Sequence, residues 1–297
     1  YIPKKSGNGL RPLGIPSADD KLVQEAVRMI LESIYEPNFK QTSHGFRPNR
    51  SCHTALAQIQ RTFTGVSWFV EGDIKGCFDN IDHHILIDIL KRRIKDEAFI
   101  DLIWKLLRAG YLEDWMKHQT YSGTPQGSGV SPLLANIYMN ELDQFMEEYR
   151  GRFNKGDKRR FNNAYVNANH HYARAKARNA KKWELMNEEE RENARIMQKE
   201  LQTTLLSTPS RDQMDPNYRR IVYVRYADDF LIGVIGSKTD AEQVKTDVGD
   251  FLKQNLNLTM SPEKTLITHG HDKARFLGYD ITINQNQSTK KTKGGTK

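Results

Sequence analysis

The run Ile221-Val222-Tyr223-Val224-Arg225-Tyr226 is rich in β-branched and aromatic residues, as is Phe230-Leu231-Ile232-Gly233-Val234, and only Ala227-Asp228-Asp229 separates them. Two such runs joined so tightly fold as the antiparallel strands of a hairpin. The chain must therefore build a sheet with two adjacent carboxylates at a hairpin tip. In most turns an aspartate pair only favours the turn itself. At the tip of an apolar hairpin the two carboxylates repel each other unless cations or hydrogen bonds compensate them, and a divalent metal is the natural compensation.

A third carboxylate arrives by a similar route. Trp68-Phe69-Val70-Glu71-Gly72-Asp73-Ile74 reads as a buried strand that delivers Asp73 at its end. Alone, Asp73 would cap the turn before Cys77. Together with the hairpin pair it makes an oxygen donor set suited to hard cations such as Mg²⁺, which keep waters and substrate phosphates in their shell. Two such ions about 3.5–4 Å apart can activate an attacking hydroxyl and stabilise a leaving oxygen in phosphoryl transfer.

The rest of the chain frames these strands. Residues 2–12 read as a hairpin around a Gly-rich turn with basic residues on both arms. Apolar spacing predicts helices over 20–35, 85–94, 98–107 and 240–256. The loop Ser122-Gly123-Thr124-Pro125-Gln126-Gly127-Ser128-Gly129 leads into a further helix, predicted over 132–149. Asn187-Glu188-Glu189-Glu190 has an N-cap residue with Glu three positions on, opening a polar helix toward Leu206. Phe276-Leu277-Gly278-Tyr279-Asp280-Ile281 reads as a strand pair, and the tail from Gln285 to Lys297 is too polar to bury anything.

Charge locates a second feature. Of the formal +8, the whole excess lies between Arg150 and Arg220, where 17 Lys or Arg face 9 Asp or Glu; the remainder of the chain balances at 28 of each. Such a segment suits a polyanion, because neutralising phosphates releases counterions, and it equally suits a solvated basic surface. Cys52 and Cys77 are the only cysteines and have neither CxxC spacing nor a His cluster beside them, so no zinc site or disulfide framework is expected. No stretch has the apolar length to span a bilayer, and Tyr1 to Lys5 do not resemble a signal peptide. The expectation is a soluble protein of a reducing compartment with no membrane partner.

Specific resemblance enters here. Glu71-Gly72-Asp73-Ile74-Lys75-Gly76-Cys77-Phe78-Asp79 resembles polymerase motif A, and Tyr226-Ala227-Asp228-Asp229 resembles motif C of reverse transcriptases. Between them, residues 124–136 resemble motif B; Ser261-Pro262-Glu263-Lys264-Thr265 resembles motif D; Phe276-Leu277-Gly278-Tyr279 resembles the primer-grip hairpin. The stretch from Lys4 to Pro16 and His44-Gly45-Phe46-Arg47-Pro48-Asn49-Arg50-Ser51 resemble the fingers blocks of bacterial group II intron reverse transcriptases. The ordered set covers most of the chain.

The resemblance implies an α+β right-hand polymerase: fingers and palm, an antiparallel palm sheet flanked by helices, and no thumb. Its parts would be mainly fingers at 1–72, palm at 73–149, a basic family-specific insertion at 150–220, palm with the primer grip at 221–284, and a polar tail at 285–297. It implies RNA-directed DNA synthesis with two Mg²⁺ ions, Mn²⁺ being a substitute, held by Asp73, Asp228 and Asp229. Phe78 matches the aromatic gate that excludes a 2′-hydroxyl. Lys4, Arg11, Gln126 and Lys264 match nucleotide-binding positions, with Lys264 a candidate proton donor to pyrophosphate. Arg47 and Arg50 match template-binding positions, and Leu277, Gly278 and Tyr279 match the primer grip. His44, His269 and His271 are expected to be structural or solvent-facing.

Implied partners are intron RNA, an RNA template, a DNA primer and deoxynucleoside triphosphates, with a second copy of the chain, as a homodimer, a further candidate. The implied setting is the bacterial cytoplasm, near the nucleoid. An alternative function is an intron-RNA-binding maturase with little polymerase activity. An RNA-dependent RNA polymerase is disfavoured by Phe78 and by Ala227 before the aspartate pair.

Overall fold

The computed structural model describes residues 14–109, 129–212 and 215–283 with their side chains, and the backbone of six short strands outside those ranges. The chain divides into two compact units, one made of residues 1–153 and 220–283, the other of 154–219 and 284–297.

The first unit begins with strands β1 (Ile2–Pro3) and β2 (Leu10–Arg11), paired antiparallel. Helix α1 (Ala18–Tyr35) starts two residues before the apolar spacing indicates, because the Ser17 hydroxyl caps it by accepting from the Asp20 amide. Helix α2 (Cys52–Thr62) opens on a capping box between Ser51 and Thr54. Strand β3 (Trp68–Asp73) follows, then α3 (His83–Lys91) and α4 (Glu97–Arg108), capped by Asp82 and Asp96. A short hairpin, β4 (Tyr111–Glu113) with β5 (Met116–His118), precedes the long helix α5 (Ser131–Phe153).

The second unit contains α6 (Asn163–Lys182) and α7 (Glu188–Ser207). Helix α6 lacks an apolar period and was not legible beforehand; α7 starts from the Asn187–Glu190 capping box that its sequence suggests. The buried residues of this helix pair are Ala175, Asn179 and Ala194, a narrow seam, while Arg174, Lys176, Arg178, Lys181 and Lys182 of α6 are exposed. Arg191 and Arg195 lie over the Trp183 ring at 5.6 and 5.3 Å.

Back in the first unit, β6 (Arg220–Tyr226) and β7 (Asp229–Ile235) form the expected hairpin, and α8 (Lys238–Leu256) follows from a Ser237 cap. Strands β8 (Ile267–His269), β9 (Ala274–Phe276) and β10 (Tyr279–Ile281) come next; β11 (Lys291–Thr292) and β12 (Gly295–Thr296) fall in the second unit. β6, β7, β3 and β8 make one antiparallel sheet in that order.

Strand alternation sorts this sheet's side chains onto two faces. Val70, Ile221, Tyr223, Phe230, Ile232 and Val234 enter the larger core with α1, α3, α4, α5 and α8. Phe69, Val224 and Leu231 point the other way, to a smaller core with Ala55, Ile59 and Phe63 of α2 and with Ala274 and Phe276 of β9. Each such Leu, Ile or Phe contributes roughly 1.5–3 kcal/mol on burial, so the sheet is clamped from both sides. Gly72 faces Phe230 in register, and a Cβ there would lie 2.1 Å from the Phe230 ring; only glycine lets β7 close on β3 beside Asp73. Among the described residues no helix is long and apolar enough to cross a membrane.

Candidate active site

Asp73 is the last residue of β3, Asp229 the first of β7, and the two are register partners across the sheet. Asp228 stands beside them in the two-residue turn that joins β6 to β7. Aspartates from three separate sequence positions therefore lie at the same end of the sheet. Burial, reinforced by the neighbouring charges of Asp228 and Asp73 and opposed by Lys264, pushes the Asp229 carboxyl up to about 6. The buried Cys77 thiol is likewise raised to about 12, by burial first and then by Asp228.

Lys264 is brought in by the loop after α8. Ile74 bridges to Met260, the Lys75 amide donates to the Thr259 carbonyl at 3.0 Å, and the Ser261 amide donates to the Asp73 carbonyl at 2.8 Å. This zips residues 259–261 onto the end of β3. The Lys264 ammonium then lies 3.1 Å from both Asp73 oxygens while its own side chain is 68% exposed. A salt bridge this open is weak and exchangeable.

The turn itself is strained. Ala227 has φ 57°, a left-handed value unfavourable for a residue with a Cβ. Arg225, fully buried, holds it there: Nη1 donates to the Ala227 carbonyl at 2.7 Å and to Asn136 Oδ1 at 3.1 Å, Nη2 to Ser43 Oγ at 2.8 Å and Asp143 Oδ2 at 2.6 Å, and Nε to Asp143 Oδ1 at 2.8 Å. All five guanidinium protons are thereby used. The loop before α2 docks on the same turn: the His44 amide donates to the Arg225 carbonyl at 2.9 Å, and the Arg225 amide to the Thr42 carbonyl at 2.8 Å. Gly45 lies so close that a Cβ would be 2.4 Å from the Ala227 nitrogen.

This network was missed in the sequence, although a signal was present. Residues 221, 223 and 225 share a face of β6, so Arg225 points where Ile221 and Tyr223 are buried. A charge at such a position needs a buried partner. Asp143 of α5, 1% exposed and between the buried Met139 and Met146, is that partner, and it also accepts from the Tyr223 hydroxyl at 2.9 Å.

Phe78 lies in the 3₁₀ turn Cys77–Asp79 that follows Gly76, half-buried against the larger core and edge-on to Phe46 at 6.2 Å. Leu277 and Gly278 form the β9–β10 turn with φ 52° and 84°, and Tyr279 is 49% exposed. Glu71 ties this hairpin to the sheet, accepting from the Arg275 amide at 2.8 Å and bonding the Thr268 hydroxyl. Lys4 and Gln126 lie outside the described residues, and of Arg11 only the backbone, in β2, is described.

Arg47 requires a correction. Its side chain is 4% exposed, paired with Glu36 at 2.7 Å and donating to the carbonyls of Lys40 and Ser43 at 2.7 and 2.8 Å. The guanidinium is spent on folding the loop and does not reach outward to a template. Arg50 is more open but also donates to the carbonyls of Gln41 and Ser43. His44 is buried between Thr54 and Gln58, and His269 stacks edge-on to Trp68 at 4.9 Å.

A two-faced antiparallel sheet whose edge hairpin carries paired aspartates, with a third on the adjoining strand, is the palm of a template-directed polymerase. The family model for reverse transcriptase (RNA-dependent DNA polymerase) matches residues 2–167 and 194–281, and the chain belongs to that family. It is 49% identical to the group II intron-encoded protein LtrA of Lactococcus lactis subsp. cremoris over 98% of this chain and 48% of that protein. It is 44% identical to the putative COX1/OXI3 intron 1 protein of Saccharomyces cerevisiae over 95% of this chain and 32% of that protein. The chain thus spans half or less of these relatives. A telomerase from Candida albicans aligns over 94% of this chain and 38% of its own with a TM-score of 0.49 and 12% identity, too slight a likeness to bear on the assignment.

Reverse transcriptases use divalent metal ions. The donors here suit one: clustered hard oxygens, of which Asp229 is destabilised as an anion until a counter-charge arrives. Among the described residues no three such side chains already converge in coordinating geometry, and Asp73 is engaged by Lys264. Waters and substrate phosphates ordinarily supply the rest of such a shell.

Proposed function

We propose that this chain is the fingers and palm of a group II intron reverse transcriptase, extending a primer 3′-hydroxyl with deoxynucleotides on an RNA template. The pairing of Asp73 with Asp229 beside Asp228 is the observation that carries this reading. Asp73, Asp228 and Asp229 would hold two Mg²⁺ ions, or Mn²⁺ in their place. When bound, such ions activate the attacking hydroxyl and offset charge on the leaving group.

The chain's own residues supply position and selectivity. Arg225 fixes the turn that carries Asp228. Lys264, exposed and only loosely held by Asp73, is free to turn to a triphosphate and give its proton to the departing pyrophosphate. Phe78 meets the sugar of the incoming nucleotide and excludes a 2′-hydroxyl. Lys4, Arg11 and Gln126 belong to the same pocket by motif resemblance, and the tight Leu277-Gly278 turn with exposed Tyr279 suits a primer strand. The exposed basic face of α6 favours a second role, binding structured intron RNA as a splicing aid. The bacterial cytoplasm, near the nucleoid, fits both roles.

Primer extension on an RNA template with Mg²⁺ and deoxynucleotides tests the catalytic assignment. Asp228→Ala and Asp229→Ala should each abolish synthesis while the folded chain persists. Undiminished synthesis by either variant would remove the assignment.

A further inference from the structure

Phe46 keeps three properties that a side chain without a task would shed. It is 54% exposed, its φ is 54°, and its ring meets those of Phe78 at 6.2 Å and 85° and Tyr226 at 6.5 Å. A left-handed backbone under a bulky aromatic is a genuine outlier, and such strain persists where the surroundings over-determine it. They do so here. On one side Gly45 is pressed against the Ala227 backbone, and its carbonyl accepts from Asn136 Nδ2 at 2.6 Å. On the other, Arg47 is locked to Glu36 and to the carbonyls of Lys40 and Ser43. With both neighbours fixed, Phe46 has one direction left, outward beside Phe78.

The exposure argues against a packing role. What the ring does touch is the proposed sugar gate: Phe78 packs on the larger core, and Phe46 meets it edge-on. Phe46, Phe78, Asn136 and Asp228 also line one small depression at the catalytic turn. Edge-to-face aromatic pairs are directional contacts, so Phe46 restricts where the Phe78 ring can swing.

We propose that Phe46 is a specificity-determining residue, which holds the Phe78 ring in place so that exclusion of the 2′-hydroxyl depends on both aromatics. This rests on the reading of the site as a deoxynucleotide pocket. It assigns to the fingers loop, and not to the palm alone, a share of the choice between deoxynucleotides and ribonucleotides.

The test is single-nucleotide incorporation by the full natural polypeptide, comparing kcat/KM for a deoxynucleotide and its ribonucleotide in wild type, Phe46→Gly, Phe46→Tyr and Phe78→Val. Phe46→Gly should lower the ratio on the order of tenfold, the scale on which one packing group alters pocket discrimination. Its unfolding midpoint should hold or rise, because glycine adopts a φ of 54° without strain. Phe46→Tyr should keep the ratio. A lowered midpoint with an unchanged ratio would show that Phe46 is merely structural and overturn the inference. If Phe78→Val relaxes the ratio and Phe46→Gly does not, the inference fails and the pocket stands. If neither moves it, or wild type takes ribonucleotides equally well, the pocket reading falls with it.

Discussion

Replacing Asp143 by leucine removes one half of an ion pair in which both side chains are 0% exposed. Arg225 would lose acceptors at Nε and at one Nη2 proton, and the Tyr223 hydroxyl would lose its own acceptor. The guanidinium cannot shed its proton, so a full charge would remain in the core with two of its five donors unmatched. Breaking a buried pair in this way costs about 3–5 kcal/mol. In a unit of this size each kcal/mol lowers the melting temperature by about 2–4 °C, which gives a drop of roughly 6–20 °C. The physics also predicts a rescue. Arg225→Met combined with Asp143→Leu removes both charges and should recover part of the loss, the remainder being the groups that Arg225 and Asp143 also satisfy, namely Asn136, Ser43, the Ala227 carbonyl and the Tyr223 hydroxyl. Thermal and urea unfolding of wild type, both single variants and the double variant measures the coupling directly. An Asp143→Leu shift below about 3 °C, or a double variant no more stable than the single, would refute the idea that the pair is held by mutual compensation. The double variant should nonetheless extend primers poorly, because the Ala227 carbonyl loses its Nη1 donor.

Two further predictions concern charge. Asp229 binds its proton more tightly when folded than when unfolded, its carboxyl moving from 3.8 to about 6, so its contribution to the stability of the metal-free chain should fall as pH rises across that window and level off above it; Asp229→Asn should remove this contribution, and a wild-type-minus-variant difference that is flat with pH would contradict the assignment. Changing Arg178, Lys181 and Lys182, which share one exposed side of α6, together to glutamine should weaken binding of structured intron RNA and flatten the log–log salt dependence by about 2–3, as expected for three lost phosphate contacts; filter binding across a salt series with an unaltered slope would take the α6 face out of RNA recognition.

Much of the aspartate-bearing hairpin is legible in the sequence because local chemistry dictates it. Alternating β-branched residues around Ala227-Asp228-Asp229 can form little else, whereas the register that sets Asp73 against Asp229 is decided by the packing of β7 on β3. Helices α1, α4, α5 and α8 were readable from apolar period to within a few residues, their exact starts decided by caps such as Ser17. Helix α6 was not, since a helix that buries only Ala175 and Asn179 leaves almost no hydrophobic trace. Arg47 misled for a related reason: an arginine in a loop looks the same in sequence whether its guanidinium faces solvent or Glu36.

The sequence by itself determined the β6–β7 hairpin, the strand that ends at Asp73, the order of the motifs and the residue types of the donor set, because these rest on periodicity and on neighbours close along the chain; the strand order, with β8 at the far edge, came only from packing. Tertiary structure decided which charges are spent internally. Arg225, Asp143, Asn136 and Ser43 lie as many as 182 residues apart, and nothing local couples them. Their convergence under one strained turn, with Phe46 forced outward above it, arises only when α5, the loop before α2 and β6 are packed together, since a buried guanidinium must find every one of its acceptors at once.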